Sequence, residues 1–177
     1  IVREAGSTTT GLWADYDNDG DQDVFISNTN MENNSLYRND GNGNFTRITE
    51  GAIVNDAGSS TGGSWGDIDN DGDLDLFVSN SGGQDNFLYS NNGDGTFTKV
   101  TSGIIVNEGG HSHGSSFGDY DNDGDLDLVV ANDSEEYNFF YINQGDGTFE
   151  SSDLEVGLTR YPRQRVQIRN TAYNTFA

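Results

Sequence analysis

Residues 15–23 of this 177-residue chain are Asp15-Tyr16-Asp17-Asn18-Asp19-Gly20-Asp21-Gln22-Asp23, and the pattern returns at residues 67–75 and 119–127. Each copy begins 52 residues after the previous one, and seven of its nine positions are identical in all three. Five carboxylates within nine residues repel one another at neutral pH, so the segment needs a cation to become compact. Because it offers hard oxygen ligands with no His or Cys nearby, the favoured cation is calcium.

Each acidic segment has the pattern of a single metal loop. Numbered from its first aspartate, the loop carries a glycine at position 6, which permits a sharp reversal of the chain. Alternate residues of such a loop can converge on one centre, so we predict three Ca²⁺ sites, one per repeat. We expect side-chain ligands from positions 1, 3, 5 and 9 and the backbone carbonyl from position 7. The side-chain ligands are then Asp15, Asp17, Asp19 and Asp23; Asp67, Asp69, Asp71 and Asp75; and Asp119, Asp121, Asp123 and Asp127, and the carbonyl ligands are Asp21, Asp73 and Asp125.

Two other interpretations of the loops are weaker. An EF-hand requires a bidentate Glu at position 12, where this chain has Ile26, Val78 and Val130 in strand-like runs. Solvated acidic turns without metal have no reason to repeat four carboxylates and a glycine at fixed spacing.

The asparagine at position 4, Asn18 in the first loop, is expected to point outward and stabilise the turn through its amide. Calcium is expected to be structural, because a full set of protein ligands leaves little room for substrate.

The repeat extends beyond the loops. Ile53-Val54 and Ile105-Val106 mark the same phase as Ile1-Val2, which divides the chain into units 1–52, 53–104 and 105–156. The remaining residues, 157–177, form a basic tail that holds four of the eight basic residues and no acidic one. This tail cannot form a fourth metal loop, but it could add a strand to a neighbouring acidic unit.

Each unit contains four β-like segments. In the first unit they are residues 7–13, the apolar run 23–27 typical of a strand buried on both faces, residues 34–39, and residues 45–48 after a glycine-rich turn. Four short antiparallel strands at a period of about fifty residues are typical of a β-propeller blade. We therefore predict an all-β fold, a β-propeller-type repeat of four-stranded antiparallel blades. Closed propellers have about four to eight blades, so three blades make a partial propeller, or one completed by oligomerisation.

The motifs resemble a known family. An aromatic residue, a small residue and the acidic loop precede an apolar strand, followed by Asn-x-Leu/Phe-Tyr-x-Asn-x-Gly-x-Gly-x-Phe. This combination is similar to the FG-GAP/VCBS repeat, which includes the calcium-binding blades of integrin α-subunit propellers and many bacterial secreted proteins. The resemblance implies a propeller in which calcium lies in the hairpin between the first and second strands of each blade.

Composition narrows the choice of partners. The net charge is −22, and the three loops hold half of the 30 acidic residues, which argues against binding to nucleic acid or anionic membranes. The chain has no cysteine, and no apolar run approaches the roughly 18 residues that span a bilayer. Calcium modules that bind at about 10⁻⁴ to 10⁻³ M suit an extracellular or cell-surface location.

The expected function is non-enzymatic: adhesion, surface display or scaffold assembly, with a protein or glycan partner and either self-association or further blades of a longer chain. His111 and His113 form a pair that could hold a transition metal or act as a base, although a solvent-facing strand end is the simpler interpretation. The alternatives are a carbohydrate-binding or polysaccharide-cleaving module around these histidines, and a self-assembling filament subunit. The aromatic residues Trp13, Trp65 and Phe117 are predicted to pack between blades.

Overall fold

The computed structural model describes residues 6–152, which form three four-stranded antiparallel sheets. Each sheet takes its strands in chain order and is called a blade below. The predicted all-β, propeller-type fold is confirmed. The strands are β1 Thr8–Ala14, β2 Asp23–Asn28, β3 Ser35–Asn39 and β4 Phe45–Ile48 in the first blade; β5 Ser60–Gly66, β6 Asp75–Asn80, β7 Phe87–Asn91 and β8 Phe97–Val100 in the second; and β9 Ser112–Gly118, β10 Asp127–Asn132, β11 Phe139–Asn143 and β12 Phe149–Ser151 in the third.

The second strand of each blade is its buried centre. All six residues of β6 are buried, as expected for an apolar run with a neighbouring blade on each side. In β10 the burial is incomplete, and Ala131 is exposed. The difference arises because the second blade lies between two others, whereas the third is covered on one side only within the described residues.

Two apolar clusters join the blades. The first contains Tyr16, Phe25 and Leu36 together with Leu76 and Tyr89 of the second blade. The second cluster, between the second and third blades, includes Ile68, Phe77, Leu88, Leu128 and Tyr141. Side chains of this size each contribute about 1.5–3 kcal/mol when fully buried, so the hydrophobic core of this fold lies between the blades.

The predicted packing role of the three aromatic residues holds for two of them. Trp65 and Phe117 pack against the two interblade clusters. Trp13 occupies the same register in the first blade, but 56% of its surface is exposed. No described sheet precedes the first blade, so Trp13 has no cluster to join.

A short 3-10 helix connects each blade to the next, and the sequence did not predict it. These helices are Ala52–Val54 and Ile104–Val106, and each follows a glycine of positive φ, 91° at Gly51 and 102° at Gly103. The last two residues of each helix are buried in the interblade clusters, and the first residue is half-buried against them.

The observed strands agree with the expected segments to within one residue. The first strand runs from Thr8 to Ala14 rather than over residues 7–13, and the third begins at Ser35. The first five residues and the basic tail, with its expected extra strand, lie outside the described residues. Within residues 6–152 there is no helix with the length and apolar character needed to cross a membrane.

Candidate metal centres

The acidic loop of each blade joins its first strand to its second, as the resemblance implied. Its reversal uses two residues of positive φ, an asparagine at position 4 and a glycine at position 6. In the first loop these are Asn18 at 57° and Gly20 at 94°. Asp15 closes the loop, because its two carboxylate oxygens accept the backbone N–H groups of Asp19 and Gly20, both at 3.0 Å. The second loop repeats both bonds.

The curled loop brings three carboxylates together in every repeat. In the first two repeats they come from positions 1, 3 and 5, and in the third from positions 1, 3 and 9. Within each group one oxygen per residue lies within 4.8 Å of the others, a spread that suits one ion with Ca–O distances of about 2.3–2.6 Å. The three groups are Asp15, Asp17 and Asp19; Asp67, Asp69 and Asp71; and Asp119, Asp121 and Asp127.

The carboxylate at position 3 is the one most in need of a cation. Oδ1 of Asp17 and Oδ1 of Asp69 are buried and accept no hydrogen bond. Burial raises the pKa of both carboxyls, and the charge of Asp19 or Asp71 raises it further. A buried, unpaired carboxylate oxygen is costly unless it is protonated or bound to a cation. The chemistry of this position therefore fits a hard metal ion.

The carboxylate at position 9 has a second role that sequence reasoning missed. Asp75 is 1% exposed and accepts the backbone N–H groups of Ile68, at 3.0 Å, and Asn91, at 2.8 Å. It therefore ties the metal loop to the end of β7. Asp23 and Asp127 make the matching pairs of bonds in the other blades. Burial raises the pKa of Asp23 and of Asp75 to about 6, although the N–H groups act in the opposite direction.

In the first two loops the side-chain amide of the asparagine at position 4 bonds outside its own turn, contrary to our expectation. Asn18 Nδ2 donates a 2.7 Å hydrogen bond to Asp73 Oδ1, in the metal loop of the next blade. Asn70 Nδ2 donates in the same way to Asp125 Oδ1, at 2.8 Å. Consecutive metal loops are therefore neighbours in space. In the second and third loops the side chain at position 7 therefore faces the preceding loop.

The potential metal ligands of the described loops are all oxygen atoms, which suits calcium. The residues that would hold an ion are those of the three carboxylate groups. In the first two loops the carboxylates at positions 3 and 5 also raise the pKa of the carboxyl at position 9. The full predicted ligand set, including the carbonyl oxygens of Asp21, Asp73 and Asp125, stays a prediction. Bound calcium would supply charge neutralisation and a fixed corner between the first two strands of each blade.

The two histidines lie at the start of β9, apart from the metal loops. His113 Nε2 is 2.9 Å from Asp133 Oδ2, and both side chains are about half exposed. His111 Nε2 lies 4.0 Å from Glu136 Oε1, and the backbone N–H of His111 donates to the same carboxylate at 2.8 Å. Among the described residues, the groups of three or more potential metal ligands all lie in the acidic loops. Both histidines lie on the surface beside these carboxylates.

Known proteins resemble this chain in sequence or in fold. Cartilage acidic protein 1 of Xenopus tropicalis is 33% identical over 90 residues, which are 50% of this chain and 14% of that protein. An Agrocybe aegerita lectin, solved to explain specific recognition of non-reducing terminal N-acetylglucosamine, matches with a TM-score of 0.52 at 22% identity over 81% of this chain and 37% of the lectin. The likeness to the lectin shows a shared fold. The chain spans less than two thirds of the length of either relative.

The repeat itself identifies the family. Residues 15–78, 67–130 and 119–167 each match the family model described as FG-GAP-like repeat. The first two matches begin at the first aspartate of one loop and end in the buried second strand of the next blade. The family pattern therefore covers the contact between neighbouring blades as well as the acidic loop. This chain belongs to the FG-GAP-like repeat family.

Proposed function

We propose that this chain is an extracellular, calcium-binding β-propeller segment that is not an enzyme and serves adhesion, surface display or scaffold assembly. The observation that carries the proposal is the buried, unpaired oxygen at position 3, present in the loops of Asp17 and Asp69. A loop that buries a carboxylate oxygen without a donor is built for a cation. In both loops, one carboxylate oxygen of this residue and one oxygen from each of the other two carboxylates of the group lie within 4.8 Å of one another.

Calcium in these loops would act on folding rather than on a substrate. Each loop is the corner between the first and second strands of a blade, and consecutive loops are linked through Asn18 and Asn70. A cation would remove the repulsion within one corner and allow the next blade to lie beside it. Carboxylates that are all directed to one structural ion are not available for acid–base chemistry, which supports a binding role over a catalytic one.

An extracellular location suits the affinity expected of such a site. Extracellular calcium modules bind with a Kd of about 10⁻⁴ to 10⁻³ M, and at ~1 mM calcium a Kd of about 10⁻⁴ M stabilises the folded state by about 1.4 kcal/mol per site. Three sites would then contribute about 4 kcal/mol, a large share of the stability of an ordinary domain. The folded blades would depend on surroundings rich in calcium.

The test is thermal unfolding of the chain in calcium and in chelator. We expect calcium to raise the Tm strongly and an equal concentration of magnesium to raise it less, because magnesium demands tighter octahedral geometry. Calorimetric titration should give three calcium ions per wild-type chain and two for Asp17→Asn. Glu50→Gln is the matched control, because it removes one exposed carboxylate outside the loops and should still bind three. An identical Tm in calcium and chelator would overturn the proposal.

A further inference from the structure

The first two blades meet through an aromatic contact. Tyr16, at position 2 of the first metal loop, is 2% exposed because it inserts between two rings of the second blade. It stacks on Trp65, with ring centroids 6.4 Å apart and planes at 11°, and its centroid lies 5.5 Å from that of Phe97. A side chain of one blade thus fills an aromatic pair of the next.

The second and third blades repeat this arrangement with different residues. Ile68 takes the place of Tyr16 and is 3% exposed. Phe117 and Phe149, which correspond to Trp65 and Phe97, belong to the same apolar cluster as Ile68. The contact between position 2 and the following aromatic pair is therefore a general feature of blade packing in this chain.

In the part of the chain that the structure describes, the third blade has a position-2 side chain without a following aromatic pair, and the first blade has an aromatic pair without a preceding position-2 side chain. Tyr120, at position 2 of the third loop, is 54% exposed, and its nearest ring contact is within its own blade, to Phe140 at 5.1 Å. In the first blade Trp13 and Phe45 form the aromatic pair, 6.3 Å apart, and Trp13 is 56% exposed. Among the described residues, nothing fills the Trp13–Phe45 pair and nothing covers Tyr120.

Within residues 6–152, the hydrogen bond from position 4 of one loop to position 7 of the next also has an unpaired donor on the third blade and an unpaired acceptor on the first. Asn122, at position 4 of the third loop, makes no hydrogen bond through its side chain within the described residues, whereas Asn18 and Asn70 bond to the loop that follows. The matching acceptor, Asp21, is exposed on the first blade. The first blade thus offers the carboxylate that Asn122 lacks.

A second polar contact shows the same complementarity. Asn91 Nδ2 donates to Tyr16 O of the preceding blade, at 2.7 Å, and to Leu74 O of its own blade. Asn39, its counterpart in the first blade, donates only to Gln22 O of its own blade. Asn39 therefore keeps one amide hydrogen for the backbone oxygen of a preceding position 2, the position held by Tyr120 in the third blade.

We propose that the open face of the third blade, formed by Tyr120 and Asn122, binds the open face of the first blade, formed by Trp13, Asp21, Asn39 and Phe45, in a second copy of this chain. Tyr120 of one copy inserts between Trp13 and Phe45 of the other, Asn122 donates to Asp21, and Asn39 donates to the backbone oxygen of Tyr120. The two faces differ from each other, so the contact is head to tail.

One interblade contact does not carry over. Thr9 and Thr61 donate to backbone oxygens of the next blade, at Ser60 and Ser112. His113 holds this position in the third blade and pairs with Asp133 instead. The new interface therefore depends on the aromatic insertion and the loop contacts, which lie away from His113 on the loop side of the blades.

The described residues of two copies contain six blades, a number within the range of about four to eight found in closed propellers. A second copy can thus cover both open faces at once. This inference extends the scaffold-assembly part of the proposed function, and it needs the blades to be folded, whether or not calcium is what folds them.

Sedimentation velocity of the full 177-residue chain in calcium, over a wide range of protein concentration, tests the interface. We expect self-association that Trp13→Ala or Tyr120→Ser weakens at least about tenfold, since buried aromatic residues dominate such contacts. Thr98→Ala, on an exposed position of the outer strand of the middle blade, is the control and should associate like the wild type. Circular dichroism and melting of each variant confirm that the blades remain folded.

Mixing the two variants tests the head-to-tail arrangement. The Trp13→Ala chain keeps its Tyr120 face and the Tyr120→Ser chain keeps its Trp13 face, so an equimolar mixture should form a one-to-one complex under conditions where each variant alone is monomeric. A wild-type chain that stays monomeric at all concentrations, or association that both variants leave unchanged, would overturn the interface. Calcium-dependent melting of a monomeric chain would leave the proposed function intact, whereas association without any calcium effect would remove the proposed function and keep the interface.

Discussion

At the scale of single residues, Asn91 holds two blades together with one side chain. Its Nδ2 donates across the interface to Tyr16 O, its Oδ1 accepts the N–H of Gly93, and its own N–H is bound by Asp75. The side chain is 3% exposed, so removing it leaves buried backbone groups without partners. Each such group costs about 1–3 kcal/mol.

We expect Asn91→Ala to lower the free energy of unfolding by about 2–4 kcal/mol, measured by urea denaturation. Asn39→Ala is the matched control, because Asn39 makes the same bonds within its own blade but none across an interface of the described residues. In protein dilute enough to be monomeric, Asn39→Ala should lower the free energy of unfolding by about 1–3 kcal/mol less than Asn91→Ala does. Equal losses for the two variants would show that the bond to Tyr16 O contributes nothing.

The metal loops show how far single residues could be predicted from the sequence. The carboxylates at positions 1 and 3 were predicted as neighbours in all three loops, because their spacing is a local property of a curled segment. The partner of Asn18 could not be predicted this way, because Asp73 lies 55 residues further along the chain. A hydrogen bond over that separation depends on how one blade lies against the next, and strand patterns do not specify this.

At the scale of elements, the first strands of the second and third blades approach closely. A Cβ added to Gly62 in β5 would lie 2.8 Å from the backbone oxygen of His113 in β9. Thr10 holds the same register in β1, so the contact between β1 and β5 accommodates a larger residue. The close approach is therefore specific to β5 and β9.

Gly62→Ala should lower the free energy of unfolding by about 1–3 kcal/mol, because the atom it meets belongs to the backbone and cannot rotate away. Gly114→Ala is the matched control in β9, where an added Cβ meets nothing within 4 Å. That change should be neutral, or stabilising by about 0.4–1 kcal/mol through the unfolded chain. Chemical denaturation of dilute protein measures both. If Gly62→Ala left the free energy of unfolding unchanged, β5 and β9 could move apart to admit the methyl group without loss of stability.

Strand positions were predictable because alternation, the apolar second strand and the glycine turns are local signals. The 3-10 helices were missed for a definable reason. Ile53 and Val54, which mark the phase of the repeat, lie in the first helix, and a run of only three apolar residues shows no helical periodicity. Gly51 followed by a short apolar run was the available signal, since a glycine of positive φ commonly marks such a turn.

At the scale of the whole molecule, the acidic loops act together. The bonds from Asn18 and Asn70 place each loop beside the next, so half of the acidic residues of the chain lie in one row. Repulsion therefore acts between loops as well as within them, and a net charge of −22 opposes the stacking of blades. Three divalent cations would reduce that charge to about −16, all of the reduction falling in this row.

This charge distribution predicts opposite sensitivity to salt with and without calcium. In chelator, raising the ionic strength from about 0.01 M to 0.15 M shortens the screening length from about 30 Å to 8 Å, so sodium chloride should raise the Tm by weakening repulsion between loops. In saturating calcium the same salt should raise the Tm much less, because the loops are already neutralised in part and screening also weakens calcium binding. Potassium chloride should reproduce the sodium result, since screening depends on ionic strength and not on the identity of the cation. Equal salt effects in calcium and in chelator would show that loop repulsion does not limit the stability of this array, and that the carboxylates in the row are already balanced by contacts within the protein.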